Sequence, residues 1–508
     1  MLFSAFYEAL RHVVAKSPVQ NPLLVFLILY LVYYTAWAVY YIFFHPLRDY
    51  PGPIVSRFSR IPQAIVLWNG SEHKWRYEHH RKYGPIVRLG PNSLSFADPK
   101  AWADIHGFKK NTPVKDMDSY QPAANNMRSM FSEPDDEKHR YQRKIFTHAF
   151  SDRALKEQEP LFTKYIDVLV ERIKRTIESN PAGSFDIVKL FNFTTFDIMA
   201  DLCFGESLGL LQSADYSPWV SMLLGAFKVG SRMRAVSFFQ PFRFLLKNLK
   251  FKRIEAIRNE NFQFSVERVN KRLATNISRP DIWGLVLAHQ EKGEGLSLGL
   301  MHANAGLFMG AGTETTATEL SGLMYYLMRN PECMARLAAE LRAAFPTERD
   351  ITMERAAQLP YLHACLEEGL RIYPPVPASL PRVVPPGGSV ILDRVVPAGT
   401  HVSMPQYAMY RLYFADPASF RPERWLPDAP REFADDVRSA LQPFSHGPRN
   451  CLGKNMAYHE MRMVLVRLVW GFEWELAEGM DGWAENQRSF AVWEKGPMWV
   501  RARVRART

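Results

Sequence analysis

Cysteine is scarce in this 508-residue chain, which contains only Cys203, Cys333, Cys365 and Cys451 and no CxxC pair. This scarcity argues against a disulfide framework and against zinc, because both need several cysteines at close spacing. A reducing compartment is therefore the simpler expectation. The chain also lacks a lysine and arginine run of the kind that binds nucleic acid, so we expect neither DNA nor RNA as a partner.

Two further absences limit the architecture. The sequence has no Gly/Ser linker, internal repeat or low-complexity tract, and no GxGxxG fingerprint follows a predicted strand. We therefore expect no flavin or nicotinamide domain within the chain. A hydrophobic content of 47% allows a large core, and a net charge of +11 favours acidic partners or anionic membrane surfaces.

Residues 17–47 contain no Asp, Glu, Lys or Arg, and residues 23–44 are almost wholly apolar. As a helix, this stretch spans roughly 33 Å, enough for the hydrocarbon core of a bilayer. A signal peptide is the alternative, but the stretch is long for one and no A-x-A site follows. We predict a single-pass membrane anchor over residues 1–48. The heavier positive charge after the span predicts that residues 49–508 face the cytoplasm.

The remaining chain is predicted to be mainly α-helical with small β-sheets. Residues 83–99 have β-rich runs separated by Gly-Pro pairs, which indicate a hairpin. Helical periodicity dominates residues 135–375, and residues 380–405 return to strands. The C-terminal MWVRARVR alternates with period two and predicts a closing strand.

Cys451 lies between a loop that contains Gly447 and a helical stripe that includes Met461, Leu465 and Leu468. Unpaired backbone N–H groups and the positive end of the helix dipole stabilise a thiolate at such a helix start. A lone thiolate with no neighbouring Cys or His suits haem better than zinc or an iron–sulfur cluster. A buried structural cysteine is the alternative on these features alone.

The charge-free residues 295–313 are followed directly by Glu314 and Thr315. This composition predicts a long helix that is buried on most sides. Its glycines each cost about 1 kcal/mol relative to Ala in a helix interior, so they indicate close approach to the backbone, by another helix or by a bound group. A buried carboxylate is costly unless it has partners or a task, so Glu314 and Thr315 are candidate catalytic residues.

The ten residues 444–453, FSHGPRNCLG, resemble the haem-binding loop of the cytochrome P450 family at every defining position. The resemblance implies that Cys451 is the iron ligand, that Arg449 pairs with a haem propionate, and that Phe444 is a further cofactor-binding position. It also implies the fold of that family behind an N-terminal transmembrane helix.

Residues 311–315, AGTET, resemble the distal-helix motif of the same family, in which an acid–alcohol pair relays protons towards the oxygen site. The resemblance implies this role for Glu314 and Thr315, with Gly312 opening the helix for oxygen.

Other family motifs supply structural and cofactor positions. Glu368, Arg371 and Arg424 match a buried charged triad that supports the fold. The family's Trp and Arg on a helix facing the propionates correspond to His139 and Arg143, with His in place of Trp. Arg382 resembles another propionate partner.

The resemblance, over residues 49–508, implies a monooxygenase with haem b that inserts one oxygen atom from O2 into a lipophilic substrate by hydroxylation or epoxidation. It implies electrons from an NADPH–cytochrome P450 reductase and a location in the endoplasmic reticulum membrane. Strings such as HPLRDYPGP resemble fungal members of secondary metabolism. Pocket candidates by family position are Ala303, Leu307, Val376, Ala378 and Val492.

Two groups of basic residues predict contact surfaces, one for a reductase and one for the membrane. Arg140, Arg143, Lys144 and Lys454 are expected near the cysteine, where they suit an acidic reductase. Residues 232–250 mix aromatic and basic side chains without acids and are expected to dip into the membrane interface. Two alternatives remain: a haem-thiolate isomerase or dehydratase without external electrons, and a non-catalytic haem-binding membrane protein.

Overall fold

The computed structural model describes residues 22–240, 244, 252–275, 279–290 and 295–505. Helices dominate these residues, and short strands form four sheets among them. The helices are α1 (Pro22–Val39), α2 (Ile54–Phe58), α3 (Ile61–Asn69), α4 (Glu72–Tyr83), α5 (Ala101–His106), α6 (Asp136–Thr147), α7 (Asp152–Ser179), α8 (Ile187–Phe204), α9 (Leu210–Ser213), α10 (Pro218–Ser237), α11 (Lys252–Ala274), α12 (Ile282–Gln290), α13 (Leu298–Arg329), α14 (Pro331–Ala344), α15 (Met353–Ala356), α16 (Pro360–Ile372), α17 (Gln406–Leu412) and α18 (Lys454–Gly471). The strands are β1 (Ile86–Gly90), β2 (Ser93–Phe96), β3 (Val114–Lys115), β4 (Phe185–Asp186), β5 (Arg382–Val383), β6 (Ser389–Ile391), β7 (Arg394–Val396), β8 (His401–Ser403), β9 (Phe472–Leu476), β10 (Arg488–Phe490), β11 (Val492–Glu494) and β12 (Trp499–Val504).

The 32-residue helix α13 packs in the core. The Ser297 hydroxyl caps its start by accepting a hydrogen bond from the Leu300 N–H. The helix lies along α8, nearly all of whose residues are buried. A Cβ at Gly312 would lie 2.8 Å from Sδ of Met199 on α8, so the Met199 side chain would have to shift to admit one. The predicted long, mostly buried helix is confirmed.

The largest sheet has the strand order β1-β2-β8-β5-β3. Strands β1 and β2 form the antiparallel hairpin predicted for residues 83–99. The strand β12 is the predicted closing strand and pairs antiparallel with both β4 and β9. Strands β10 and β11 form a separate hairpin that turns at Ala491, whose φ is 71°. The mainly α-helical class with small sheets is therefore confirmed.

Helix α1 and the π-helical turn after it (Tyr40–Phe44) form an apolar segment. Within it, Leu23–Phe44 is the one helix of the described residues that is long and apolar enough to cross a membrane, with a mean hydropathy of 2.0. Most of its side chains are exposed. The indole N–H of Trp37 donates to the Phe58 carbonyl at 3.1 Å, so the end of the segment contacts α2.

The end of this segment is joined to β1 by Arg88, a fully buried side chain. Its guanidinium donates to the carbonyl oxygens of Tyr41 at 2.9 Å, Leu47 at 3.3 Å, Arg57 at 3.1 Å and Pro91 at 2.7 Å. Burial lowers the pKa of Arg88 to about 10, with a smaller contribution from neighbouring charge. A buried cation needs such hydrogen bonds, so this side chain draws four backbone segments together.

The predicted charged triad is present and fully buried. Arg371 forms a two-pronged contact with Glu368 at 2.7 and 2.8 Å, and Nε of Arg424 lies 3.1 Å from the same carboxylate. Asp436, which the sequence analysis did not identify, accepts from Nη1 of Arg424 at 2.5 Å. The indole of Trp425 also donates to Glu368 at 2.9 Å. Two arginines and two carboxylates therefore balance their charges and join α16 to the segment before Cys451.

Replacing Glu368 with Gln should destabilise the protein strongly, because two buried guanidinium groups would lose their shared carboxylate. Removing one partner of such a network costs about 3–5 kcal/mol. We expect a large drop in the melting temperature of the detergent-solubilised protein. The matched control is Glu157→Gln, which breaks an exposed pair with Arg153 and should cost at most about 1 kcal/mol. Equal melting temperatures for the two variants would contradict a supporting role for the network.

Candidate active site

The Cys451 loop is shaped by its backbone. The Cys451 N–H donates to the Phe444 carbonyl at 2.8 Å, which closes the loop just before α18. Gly447 has a φ of 77°, and a Cβ there would lie 1.9 Å from the His106 carbonyl oxygen, so only glycine fits. The loop is thereby seated against the end of α5.

Part of the Cys451 surface is accessible, although protein atoms closely surround the thiol. Burial raises the pKa of its thiol, and the Gly453 N–H and the charges of Arg143 and Lys454 oppose that shift only in part. The helix start therefore does not by itself hold the sulfur as a thiolate. A metal cation bound to the sulfur would complete the ionisation, as at metal-ligating thiols generally.

Arg143 of α6 holds the Cys451 loop from the other side. Its guanidinium donates to the Asn450 carbonyl at 2.7 Å and to Asn450 Oδ1 at 2.6 Å. The predicted contact between Arg143 and a propionate stays a prediction. Phe444 is half-buried beside the loop, with its ring centroid 5.2 Å from that of Tyr458.

Three of the predicted propionate partners, Arg382, His139 and Arg449, lie among buried basic groups. Arg382, on β5, is buried, and its Nη2 lies 3.4 Å from Nδ1 of His106, while its Nε has no hydrogen-bond partner. His139 is buried, and burial together with Arg449 and Lys115 lowers its pKa to about 3.

The sequence analysis missed Lys115, a lone lysine on the two-residue strand β3. Its ammonium is buried and donates to the Phe131 carbonyl. Burial, followed by the charges of Arg382 and Arg449, holds the pKa of Lys115 well below its usual value. No motif distinguishes this lysine; only the pairing of β3 with β5 brings it to Arg382.

We call Lys115, His139, Arg382 and Arg449 the basic cluster. Arg449 donates to the Glu133 carbonyl at 2.5 Å and the Pro134 carbonyl at 2.9 Å. Among the described residues, the only carboxylate in ion-pair contact with the cluster is Asp136, 2.7 Å from Arg449 and largely exposed. Arg382 therefore has no carboxylate in ion-pair contact among the described residues, which suits a ligand with its own carboxylates.

The middle of α13 combines buried and accessible positions. Thr313, Glu314 and Thr316 are buried, whereas Ala311 is accessible and Thr315 is half-buried. Gly306 and Gly310 of the same helix have open space beside them. One side of this core helix is therefore accessible at these positions. At Gly312 the close neighbour is Met199, so the structure gives this glycine a packing role, and its predicted role in oxygen access stays a prediction.

Thr315 and Glu314 point in different directions because adjacent helical residues differ by about 100°. The Thr315 hydroxyl donates to the Ala311 carbonyl at 2.7 Å. The Glu314 carboxylate is buried and pairs through Oε1 with the Lys495 ammonium, while its Oε2 has no partner. Lys495, just after β11, was also missed, because no sequence pattern links residues 181 positions apart.

These residues fit a haem. A single accessible thiol stands just before a helix start, in a loop whose Gly447 lies against the backbone of His106. The buried Arg382 nearby has no carboxylate in ion-pair contact among the described residues, which fits a propionate. Cys451 would hold the iron, and the basic cluster would hold the propionates.

Comparison with known proteins agrees with this fit. The family model described as Cytochrome P450 matches residues 51–500. The cytochrome P450 monooxygenase efuB of Hormonema carpetanum is 45% identical over 486 residues, covering 94% of this chain and 95% of the relative. The cytochrome P450 monooxygenase FUM2 of Gibberella moniliformis is 45% identical over 467 residues, covering 91% of this chain and 99% of the relative.

The prediction of a haem-thiolate monooxygenase is thereby confirmed, and the two alternative readings are not favoured. The loop around Cys451, the buried triad and the extent of the match lead to one assignment. This chain belongs to the cytochrome P450 family.

Proposed function

We propose that this monooxygenase inserts one oxygen atom from O2 into a lipophilic small molecule, by hydroxylation or epoxidation, in fungal secondary metabolism. The observation that carries the proposal is the accessible Cys451 thiol in a loop whose Gly447 lies against the backbone of His106, just before a helix start. Relatives named as monooxygenases support the reaction class. The open space beside Gly306 and Gly310 supports an apolar substrate space along α13.

The cofactor is proposed to be haem b, with Cys451 as the iron ligand. When bound, the haem supplies the redox chemistry that activates O2. Arg449, Arg382 and His139 would hold the propionates, and Lys115 joins them on the geometry of the basic cluster. Arg143 would also contact a propionate, while its hydrogen bonds fix Asn450 in the loop.

Thr315 and Glu314 are proposed as the proton-delivering pair. The Thr315 hydroxyl, at a half-buried position of α13, would hold water by hydrogen bonding. The Glu314 carboxylate would pass protons to that water from outside the apolar helix. General acid catalysis of this kind contributes about 10²–10⁴ in rate.

The membrane arrangement is proposed as an anchor, residues 1–48, and a catalytic domain, residues 49–508, on the cytoplasmic side of the endoplasmic reticulum. Exposed apolar side chains on α2 and α3 continue the anchor surface, among them Ile54, Ile65 and Trp68. The guanidinium of Arg232 lies 5.1 Å from the Trp68 ring, so the basic end of α10 adjoins that surface. Residues 241–243 and 245–250 of the predicted interfacial stretch, nine of its nineteen residues, lie outside the described residues.

Electrons are proposed to come from an NADPH–cytochrome P450 reductase. A groove of about 1010 Å³ lies beside the Cys451 loop and includes Phe444 and Lys454 in its wall. The same wall contains Asp152, Glu159 and Glu367, so the expected basic face is mixed in charge around the groove. Arg140 and Lys144 on α6 are exposed and supply the basic part. A partner with both charge signs suits this surface better than a purely acidic one.

Replacing Cys451 with Ser should abolish thiolate ligation. The reduced wild-type protein should show a red-shifted Soret band with carbon monoxide, measured by difference spectroscopy, and the variant should not. Serine variants of Cys203, Cys333 and Cys365 are the controls and should retain the band. A normal band in Cys451→Ser would overturn the assignment of the iron ligand.

Replacing Thr315 with Val keeps the side-chain shape but removes the hydroxyl. Haem content should be unchanged, while NADPH consumption is diverted to hydrogen peroxide and product formation falls by about 10²–10⁴. The matched control is Thr176→Val, because the Thr176 hydroxyl makes the same bond to the carbonyl four residues earlier, on a distant helix. Product formed without any reductant would contradict a monooxygenase.

Deleting residues 1–47 should release much of the protein from membranes without loss of haem, as measured by sedimentation of membrane fractions. In the full chain, the sequon at the exposed Asn69 should remain unglycosylated if the domain faces the cytoplasm. The sequon at Asn192 is buried and therefore uninformative, and that at Asn276 lies outside the described residues. Glycan at Asn69 would contradict the proposed orientation.

A further inference from the structure

A small cavity of about 200 Å³ lies where α4, α17, the last turns of α13, the end of α16 and the β10–β11 hairpin meet. Aromatic side chains form much of its wall, namely those of Tyr326, Tyr373, Tyr407 and Trp493. Tyr326 follows Thr315 by 11 residues, roughly 16 Å along α13. The cavity also shares no wall residue with the groove beside Cys451, so it is separate from the candidate active site.

The cavity wall includes the Arg411 guanidinium, which has no carboxylate in ion-pair contact among the described residues. Its Nη2 donates to the Ile372 carbonyl at 3.0 Å, and its Nη1 donates to the Tyr407 carbonyl at 3.5 Å. A guanidinium has five N–H donors, so these two contacts use fewer than half of them. Arg88, also buried without an acid, is met instead by four carbonyl oxygens. Burial lowers the pKa of Arg411, yet the side chain keeps accessible surface because it lines the cavity.

His73 of α4 supplies a second polar group to the wall and is only 2% exposed. Its Nδ1 lies 3.0 Å from the Ser489 hydroxyl, while its Nε2 has no partner among the described residues. Burial, followed by the charges of Lys74 and Arg411, lowers the pKa of His73 to about 3, so the ring is neutral. When the Ser489 hydroxyl donates to Nδ1, the ring hydrogen is on Nε2, which can then donate to a ligand.

The rim of the cavity adds one charge of each sign. Lys74 is exposed, and its ammonium donates to the Glu485 carbonyl oxygen at 2.8 Å. The Glu485 carboxylate accepts hydrogen bonds from the phenols of Tyr325 at 3.2 Å and Tyr326 at 3.4 Å. With Arg411, two cations and one carboxylate line the cavity, so positive charge is in excess there.

The charge and the size of the cavity limit what it can bind. An aromatic box often binds a quaternary ammonium, but here the Arg411 guanidinium already lies 3.5 Å from the centroid of the Tyr407 ring and would repel a second cation. Pockets for drug-sized ligands have about 300–1,000 Å³, and one water takes about 30 Å³. A cavity of about 200 Å³ therefore admits only a small molecule. The N–H donors suit a carboxylate, and the aromatic wall suits an apolar body.

We propose that this cavity is an accessory binding site for a small organic carboxylate, whose oxygens accept hydrogen bonds from Arg411 and His73 and whose apolar body lies against Tyr407 and Trp493. The carboxylate supplies the acid that Arg411 lacks, and the planar guanidinium can meet both of its oxygens at once. Lys74, at the rim, attracts the same charge from solvent.

The site also contacts the hairpin next to a predicted substrate-pocket position. Trp493 follows Val492 on β11, stacks on Tyr373 with ring centroids 4.9 Å apart, and donates its indole N–H to the Pro374 carbonyl at 2.8 Å. A ligand against Trp493 adds a further contact to this junction. Binding should therefore stabilise the β10–β11 hairpin against the end of α16.

The binding test titrates the haem-loaded, detergent-solubilised full chain with sodium benzoate by calorimetry. Benzamide is the matched neutral probe, and sodium phosphate is the inorganic anion. Benzoate should bind the wild type at least about tenfold more tightly than either, because only benzoate has both the charge and the apolar body. Arg411→Met should weaken benzoate binding by about tenfold or more. Arg411→Lys should have intermediate affinity, because lysine keeps the charge but not the planar fork.

A second variant avoids the buried position. Lys74→Met changes an exposed side chain and should weaken benzoate binding only a few-fold, as expected of a charge in contact with solvent. Lys82→Met, at an exposed lysine of the same helix, is the matched control and should leave the affinity unchanged. The red-shifted Soret band with carbon monoxide shows which variants have folded around haem.

Hydrogen exchange with mass spectrometry locates the ligand. Benzoate should slow amide exchange in α17 and in the β10–β11 hairpin, because bound ligand opposes the local opening of the elements it contacts. Exchange in residues 301–316 of α13 and the Soret band should not change, since the cavity lies apart from the candidate haem site.

Several results would overturn the accessory site. Equal benzoate affinity in the wild type and a folded Arg411→Met variant would remove the role of the guanidinium. Benzamide binding as tightly as benzoate would remove the carboxylate, and phosphate binding as tightly would replace it with an inorganic anion. Protection confined to residues 301–316 would place benzoate beside the haem instead. If Arg411→Met does not fold, unchanged affinity in Lys74→Met together with no protection of α17 would refute the site.

Discussion

Compensation of buried positive charge is the constraint on which most of this structure depends. A guanidinium or ammonium group inside a protein must find carboxylates or several carbonyl oxygens, because its hydration is lost. Arg88 meets the requirement with four carbonyl groups and thereby joins the end of the apolar N-terminal segment to the first strand. Arg371 and Arg424 meet it with Glu368 and Asp436, and so fix the segment before the cysteine.

The same constraint distinguishes a charge cluster that supports the fold from one that could bind a ligand. Where arginines and carboxylates balance, as around Glu368, the charges hold elements together and leave nothing for a ligand. The basic cluster differs: burial, followed by the charges of Arg382 and Arg449, lowers the pKa of Lys115, and the buried Arg382 has no carboxylate in ion-pair contact among the described residues. A buried guanidinium without an acid is unfavourable for the protein alone. A ligand that brings carboxylates would remove that cost, so the cluster is a candidate site for the propionates of the cofactor.

Sequence reasoning succeeded where the information is contiguous. The Cys451 loop, the charge-free helix with Glu314 and Thr315, and the β1–β2 hairpin each occupy a single stretch, so spacing and composition were enough to predict them. It failed where a contact joins distant positions. Lys115 reaches Arg382 only through strand pairing, and Asp436 reaches Arg424 only through the folding of the segment between them. Lone charged residues carry no pattern before the chain folds, so neither could have been identified from the sequence.

The geometry of α13 separates the two side chains of the acid–alcohol motif in this protein. Glu314 and Thr315 are adjacent in the sequence, but on a helix their side chains point about 100° apart. Thr315 lies at a half-buried position, and Glu314 lies on the side that Lys495, just after β11, covers. The helix therefore places the hydroxyl and the carboxylate of the motif in two different environments, one accessible and one enclosed. Adjacency in the sequence does not bring these two groups together, because the helical turn between them decides which neighbours each one meets.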